Sequence, residues 1–207
     1  MTASLAPYDA INESRRLIQA LERRQHAITF ADTLLSAHYI AHQNLENSYD
    51  ISELAVDAWR AALADRWESE VAARRLYKQI TRQLTEHYGE MAPQMQLITR
   101  GGAEINSTPS ELMEDLRRLH AALTVERTRL PFAAERLPQI SEAYTHLEQA
   151  IDLAYQTEQR RRNAVLENRM AREVFRRASE ATLGKLTAHY GETFSTEFQE
   201  LLEAQAA

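Results

Sequence analysis

Residues 45–88 read LENSYDISELAVDAWRAALADRWESEVAARRLYKQITRQLTEHY, and this stretch decides the fold class. Leu45, Tyr49, Ser52, Val56, Trp59, Leu63, Trp67, Glu70, Arg74, Tyr77, Ile80, Leu84 and Tyr88 follow one another at steps of three or four. That spacing is close to the 3.5-residue seam of long packed helices, with polar lapses at Ser52, Glu70 and Arg74. Neither proline nor glycine interrupts the chain between Tyr8 and Tyr88. Alternation with period two is nowhere sustained, so the expected class is all-α.

The same stretch belongs to a sequence written twice. A gapless shift of 102 residues lays Arg15-Arg16-Leu17 on Arg117-Arg118-Leu119, Leu45-Glu46 on Leu147-Glu148, and Arg74-Arg75 on Arg176-Arg177. His87-Tyr88-Gly89-Glu90 falls on His189-Tyr190-Gly191-Glu192, and Pro7 on Pro109. From Pro7 to Glu90 there are 23 identities in 84 positions, where chance gives roughly one in seventeen. The expectation is two tandem homologous helical hairpins forming an elongated four-helix bundle, related by a pseudo-twofold axis as in a fused homodimer. Repeat 1 covers residues 1–100, a linker 101–108 and repeat 2 residues 109–207, packed together as one bundle.

Local signals place the breaks. Glu46 to Glu53 collects Asn47, Ser48, Asp50 and Ser52, whose side chains can cap a helix. A turn there gives arms of about 8–47 and 50–89, with a weaker counterpart at Gln149–Leu153. Pro131 and Pro138, opposite Thr29 and Ser36, each remove a helical hydrogen bond, so the first arm of the second repeat must kink or break, and the first arm of each hairpin could be two shorter helices end to end. One unbroken helix over about 138–190 is disfavoured, because Gln156 to Asn163 lacks an apolar face. Gly89 and Gly191 suit left-handed helix stops, with His87 and His189 in the last turns at the negative end of the dipole. Residues 91–108 read as a connection containing Pro93 and Gly101-Gly102. Phe194, Phe198, Leu201 and Leu202 outline a short amphipathic tail helix that docks on the bundle.

Composition narrows the function classes. With 24 Lys and Arg against 30 Asp and Glu, the net charge of −6 argues against general nucleic-acid binding, which depends on phosphate neutralisation. The absence of cysteine excludes disulfides, thiolate metal sites and a cysteine nucleophile. No run approaches the ~18 apolar residues of a membrane span, and the first residues show no secretory signal. A cytoplasmic protein with no membrane partner is expected.

Several constellations can carry chemistry. His38, His42 and Glu46 lie at i, i+4 and i+8 on one helical stripe, the spacing by which a helix presents metal ligands. The second repeat has Ile140, Tyr144 and Glu148 there, which favours packing over ligation. No histidine follows a glutamate by three residues, which excludes the di-iron pattern of four-helix bundles. The repeated His-Tyr-Gly-Glu offers a base and a carboxylate, but its residues are accounted for by a helix stop, a packing aromatic and a solvated acid. Arg160-Arg161-Arg162 with Arg169, Arg172, Arg176 and Arg177 could serve an anion or nucleic acid; pairing with Glu158, Glu167, Glu173 and Glu180 is the simpler reading. Arg15-Arg16 and Arg117-Arg118, like Arg74-Arg75 and Arg176-Arg177, recur in register and could pair with acids such as Glu13 and Asp115 or bridge the hairpins. Trp59 and Trp67 align with Arg161 and Arg169 of the other repeat; at helical spacing a tryptophan belongs to the core by default, but the asymmetry also suits a contact surface. There is no glycine-rich phosphate loop, nucleophile elbow or spaced carboxylate pair, so no catalytic residues and no cofactor are expected.

The end of the first repeat, His87-Tyr88-Gly89-Glu90-Met91-Ala92-Pro93-Gln94-Met95 followed by Gly101-Gly102, resembles the tail of uncharacterised bacterial helical proteins. In these a Tyr-Gly stop closes a long amphipathic helix and a Gly-Gly segment follows. The resemblance implies a helical fold and no catalytic residues; the second repeat lacks the Gly-Gly element. The expected function is that of a non-enzymatic structural or interaction protein, self-associating or binding another protein through long helical faces. The alternative is a bundle that binds a metal or small molecule.

Overall fold

A computed structural model describes residues 7–89, 92–99 and 108–204. They form five α-helices: α1 (Pro7–Arg23), α2 (Ala31–Tyr88), α3 (Pro93–Ile98), α4 (Pro109–Val125) and α5 (Ala133–Ala204), with a 3₁₀ turn at Gln25–Ala27. No strand occurs among the described residues. The Gly101-Gly102 segment lies outside them.

Two expected breaks are corrected. The polar cluster 46–53 is not a turn: α2 runs through it as helix, and Gln149–Leu153 is likewise inside α5. Ser48 spends its hydroxyl on the Leu45 carbonyl of its own helix, at 3.0 Å, rather than on a cap. The long helix disfavoured over Gln156 to Asn163 also forms. Its inward side is made of small residues, Ala154, Thr157 and Ala164, all buried, and Thr157 donates to the Leu153 carbonyl at 2.8 Å. A small hydroxyl that bonds its own backbone can occupy a packed seam without leaving an unpaired polar group.

The actual reversals lie elsewhere, at 24–30 and 126–132, in register with each other. Pro131 stands in the second of these, as expected of a helix breaker, whereas Pro138 is accommodated near the start of α5. Each half of the chain is thus a short helix followed by a long one. Residues 91–108 are not all connection either. Pro93 starts α3, and Met95 and Ile98 are buried.

The Tyr-Gly stops behave alike. Gly89 has φ 88° and Gly191 φ 84°, values that favour glycine. The first ends α2; the second bends α5, after which Phe198 is buried among α1 and α2 residues. The tail helix thus docks as the sequence suggests. Tyr190 stacks on Phe30, with ring centroids 6.0 Å apart, and accepts the Thr29 N–H at 2.8 Å. The position equivalent to Thr29 is Pro131, which has no N–H to give. Tyr88 instead donates to Glu126 at 3.4 Å.

The chain divides into two compact units that cross the sequence halves. The first unit comprises residues 1–56 and 160–207, the second residues 57–159. In the first, α1 and the start of α2 enclose Leu17, Leu21, Leu34 and Leu45 with Phe175 and Leu186 from the end of α5. In the second, Leu112, Leu116, Leu119 and Leu123 of α4 pack with Leu130, Ile140 and Leu147, and with Tyr77, Ile80 and Leu84 of α2. Each fully buried leucine contributes roughly 1.5–3 kcal/mol relative to exposure. The α4 helix starts on a capping box, the Thr108 N–H donating to Glu111 Oε2 at 2.7 Å while Thr108 Oγ1 accepts the Glu111 N–H.

At Gly191 a Cβ would meet nothing within 4 Å, while φ 84° and ψ 171° lie in a region almost exclusive to glycine. Gly191→Ala is therefore expected to lower unfolding free energy by about 1–3 kcal/mol through backbone strain alone, as measured by urea denaturation.

Candidate interaction surface

The helices of the first unit are tied by polar contacts that fix their register. Ser48 of α2 accepts from Asn168 Nδ2 of α5 at 3.3 Å, and His38 Nε2 lies 2.8 Å from Thr182 Oγ1. Residue numbers rise along one helix as they fall along the other, so the two segments are antiparallel. Arg15 of α1 reaches Glu46 of α2 at 3.2 Å, and His42 Nε2 meets the same oxygen at 3.2 Å. In the second unit Arg117 donates to the Tyr144 hydroxyl at 2.7 Å, and Tyr144 donates to Glu148 at 3.2 Å. Arginines 102 positions apart thus both bind the following long helix. Arg117 also pairs with Glu114 at 2.9 Å.

His38 and Thr182 are both buried, with the Nδ1 of His38 unpartnered. Their equivalents in the second unit are Ile140 and Ile80, both buried and apolar. A polar pair in one unit thus corresponds to two apolar core residues in the other. Burial lowers the His38 pKa below its ordinary 6.5, because the imidazolium would lose its hydration.

The metal-spaced triad is not assembled around a common point: His38 engages Thr182, whereas His42 engages Glu46. Among the described residues no three His, Cys, Asp or Glu side chains are grouped to hold a metal. Trp59 and Arg161 are half-buried, while Trp67 and Arg169 are exposed. Trp59 and Trp67 belong to the second unit, and Arg161 and Arg169 to the first. The polar lapse at Glu70 is occupied by an ion pair to Arg66 at 3.2 Å and by Arg74 at 4.0 Å.

The arginine-rich part of α5 is largely an internally paired helix face. Arg176 bonds Glu173 and Glu180, and Arg177 bonds Glu173 at 2.8 Å. Hydrogen bonds from both arginines hold the Glu173 carboxyl down at about 2. A wider groove of about 940 Å³ runs past these pairs to Glu13 of α1, whose carboxyl burial raises.

An exposed apolar stripe lies beside it. Leu166, Met170 and Val174 follow at i, i+4 and i+8 on α5 and are 54%, 60% and 57% exposed. Ile40, Ile51 and Leu54 of α2 are exposed as well. Between the stripes runs a groove of about 310 Å³ floored by Ala41, Ser48 and Ala171 and edged by Ile51, Met170 and Val174. Sequence reasoning missed this face because it was masked by neighbouring arginines, although the four-residue spacing was a sufficient signal. The equivalents of Leu166, Met170 and Val174 are Ala64, Glu68 and Ala72, so the stripe is confined to one unit. No protein-family model, curated protein or solved structure matches the chain.

Two outcomes follow from the paired polar groups. The unfolded state takes up protons below pH 6.5 more readily than buried His38 does, so stability present above that pH is lost as pH falls toward the lowered folded value. His38→Ile alone, which strips Thr182 of its partner, is expected to cost ~1–3 kcal/mol. His38→Ile/Thr182→Ile should recover most of that and remove this part of the acid sensitivity, as read by urea unfolding at pH 7.5 and 5.5. For the surface pairs, Arg176→Gln/Arg177→Gln should return the Glu173 pKa from about 2 toward 4.5 in an NMR titration.

Proposed function

We propose that this is a non-enzymatic interaction protein that self-associates through a helical face of its first unit. The observation that carries the reading is the stripe Leu166, Met170 and Val174, exposed beside Ile51 and Leu54. Large contiguous apolar faces on a protein surface mark contact sites more often than scattered residues do. A helical face with a groove between two stripes suits a helical partner. Among the described residues no helix is long and apolar enough to cross a membrane, and a cytoplasmic setting is part of the proposal.

The architecture belongs to the same proposal. The 23 identities, the matched Tyr-Gly stops and the paired roles of Arg15 and Arg117 support an internal duplication of a helical hairpin. In this reading a hairpin that once completed its core with a second copy now completes it with its own duplicate. Divergence then left one unit with an apolar outer stripe and the other with Ala64, Glu68 and Ala72.

Light scattering behind size exclusion over a concentration series is expected to show mass rising above the 23.7 kDa monomer. Met170→Glu/Val174→Glu should hold the protein at monomer mass with an unchanged helical spectrum. A wild-type monomer at every concentration would overturn the proposal.

A further inference from the structure

The two helices that border the apolar groove carry opposite charge. From Gln25 to Val56 the chain has Asp32, Glu46, Asp50 and Glu53 and no lysine or arginine. From Arg160 to His189 it has seven arginines and one lysine against three glutamates. At the face itself Asp50 stands on the α2 side and Arg169 on the α5 side, with the apolar stripes between them; Glu167 of α5 also lines the groove, and Arg176 and Arg177 are held by Glu173 and Glu180. Asp50 and Arg169 are both exposed, one on each side.

Opposite charge on two antiparallel helices selects among ways of pairing the face with itself. A twofold axis running across the helices lays α2 on α2 and α5 on α5, acid on acid and base on base. An axis parallel to the helices lays α2 of one copy on α5 of the other. It also preserves height along the helices. Ser48 lies across from Asn168, so Asp50 is level, within a turn, with Leu166 and Arg169. Helical spacing turns Asp50 away from α5 and Arg169 away from α2, at roughly 100° per residue from Ile51 and Met170. Across the parallel axis, both then fall on the same outer edge.

We infer that this face is an isologous interface, in which a second copy of the chain packs about a twofold axis parallel to α2 and α5. Asp50 of each copy meets Arg169 of the other, and Ile51, Met170 and Val174 close over the groove. The inference rests on the self-association proposed above and adds the axis, the register and closure at two copies. Fifteen residues of two adjacent helices offer a footprint of roughly 450 Å² per copy. That is below the ~800 Å² per partner of a standard interface, so the dimer is expected to dissociate on dilution. Rim charges of this kind set register more than they add affinity.

Charge exchange in the full chain tests it by sedimentation equilibrium at low salt, with circular dichroism checking that each variant is folded. Asp50→Arg and Arg169→Glu are each expected to weaken dimerisation about tenfold. Asp50→Arg/Arg169→Glu, which restores both contacts with reversed sign, should return it to within about threefold of the wild type. Loss of association in Met170→Glu/Val174→Glu together with no recovery in the double charge variant would overturn the axis and leave the proposed face standing. Association indifferent to Met170→Glu/Val174→Glu, growth beyond a dimer, or a monomer throughout would overturn the inference.

Discussion

The structure depends on the continuity of two helices through the positions where their sequences give them least support. Helix α2 passes residues 46–53 without a turn, and α5 passes 156–163 without a large apolar side chain facing inward. Because they continue, the start of α2 serves the first unit and its end the second, and α5 does the same in reverse. A turn at Ser48 would remove α2 from one of the two cores. Continuity rests on small effects acting together: no proline or glycine across 31–88, hydroxyls bonded to their own helix, and alanines where a larger side chain would hold the helices apart. Propagating a helix gains one hydrogen bond per residue fixed, whereas starting a new one requires a costly nucleus.

That balance explains how much was legible in the sequence. The helical class, the Tyr-Gly stops and the docked tail around Phe198 follow from side-chain size and backbone freedom at single positions, and could be read there. The reversals could not be read from the first half alone. Arg24 to Phe30 contains neither glycine nor proline, and the polar cluster at 46–53 carries stronger turn chemistry. Only the register with Pro131 points to the true place. Cap preferences of about 1 kcal/mol are local, whereas the decision between turn and helix was made by packing against segments more than a hundred residues away.

The candidate surface was legible in a different sense. Trp67 drew attention by its size and is exposed, but the face argued here rests on Leu166, Met170 and Val174, which lie among arginines. Internal pairing of Arg176 and Arg177 with Glu173 and Glu180 means that a run of basic residues is not equivalent to free positive charge. Comparing positions 102 apart separates the two cases. Features present in both halves, such as Arg15 and Arg117, hold helices together. Features present in one unit only, such as the apolar stripe and the His38–Thr182 pair, are where the two units have gone separate ways.

The crossing of halves has a consequence for the connection between them. Severed between residues 100 and 108, the chain would yield two pieces, each with its short helix, the long helix beside it and leucines that nothing covers. Each piece is the missing wall of the other. Covalent continuity between the pieces then contributes proximity. It holds the right partner at high local concentration, so that the exposed layers meet within the chain before they can meet a stranger.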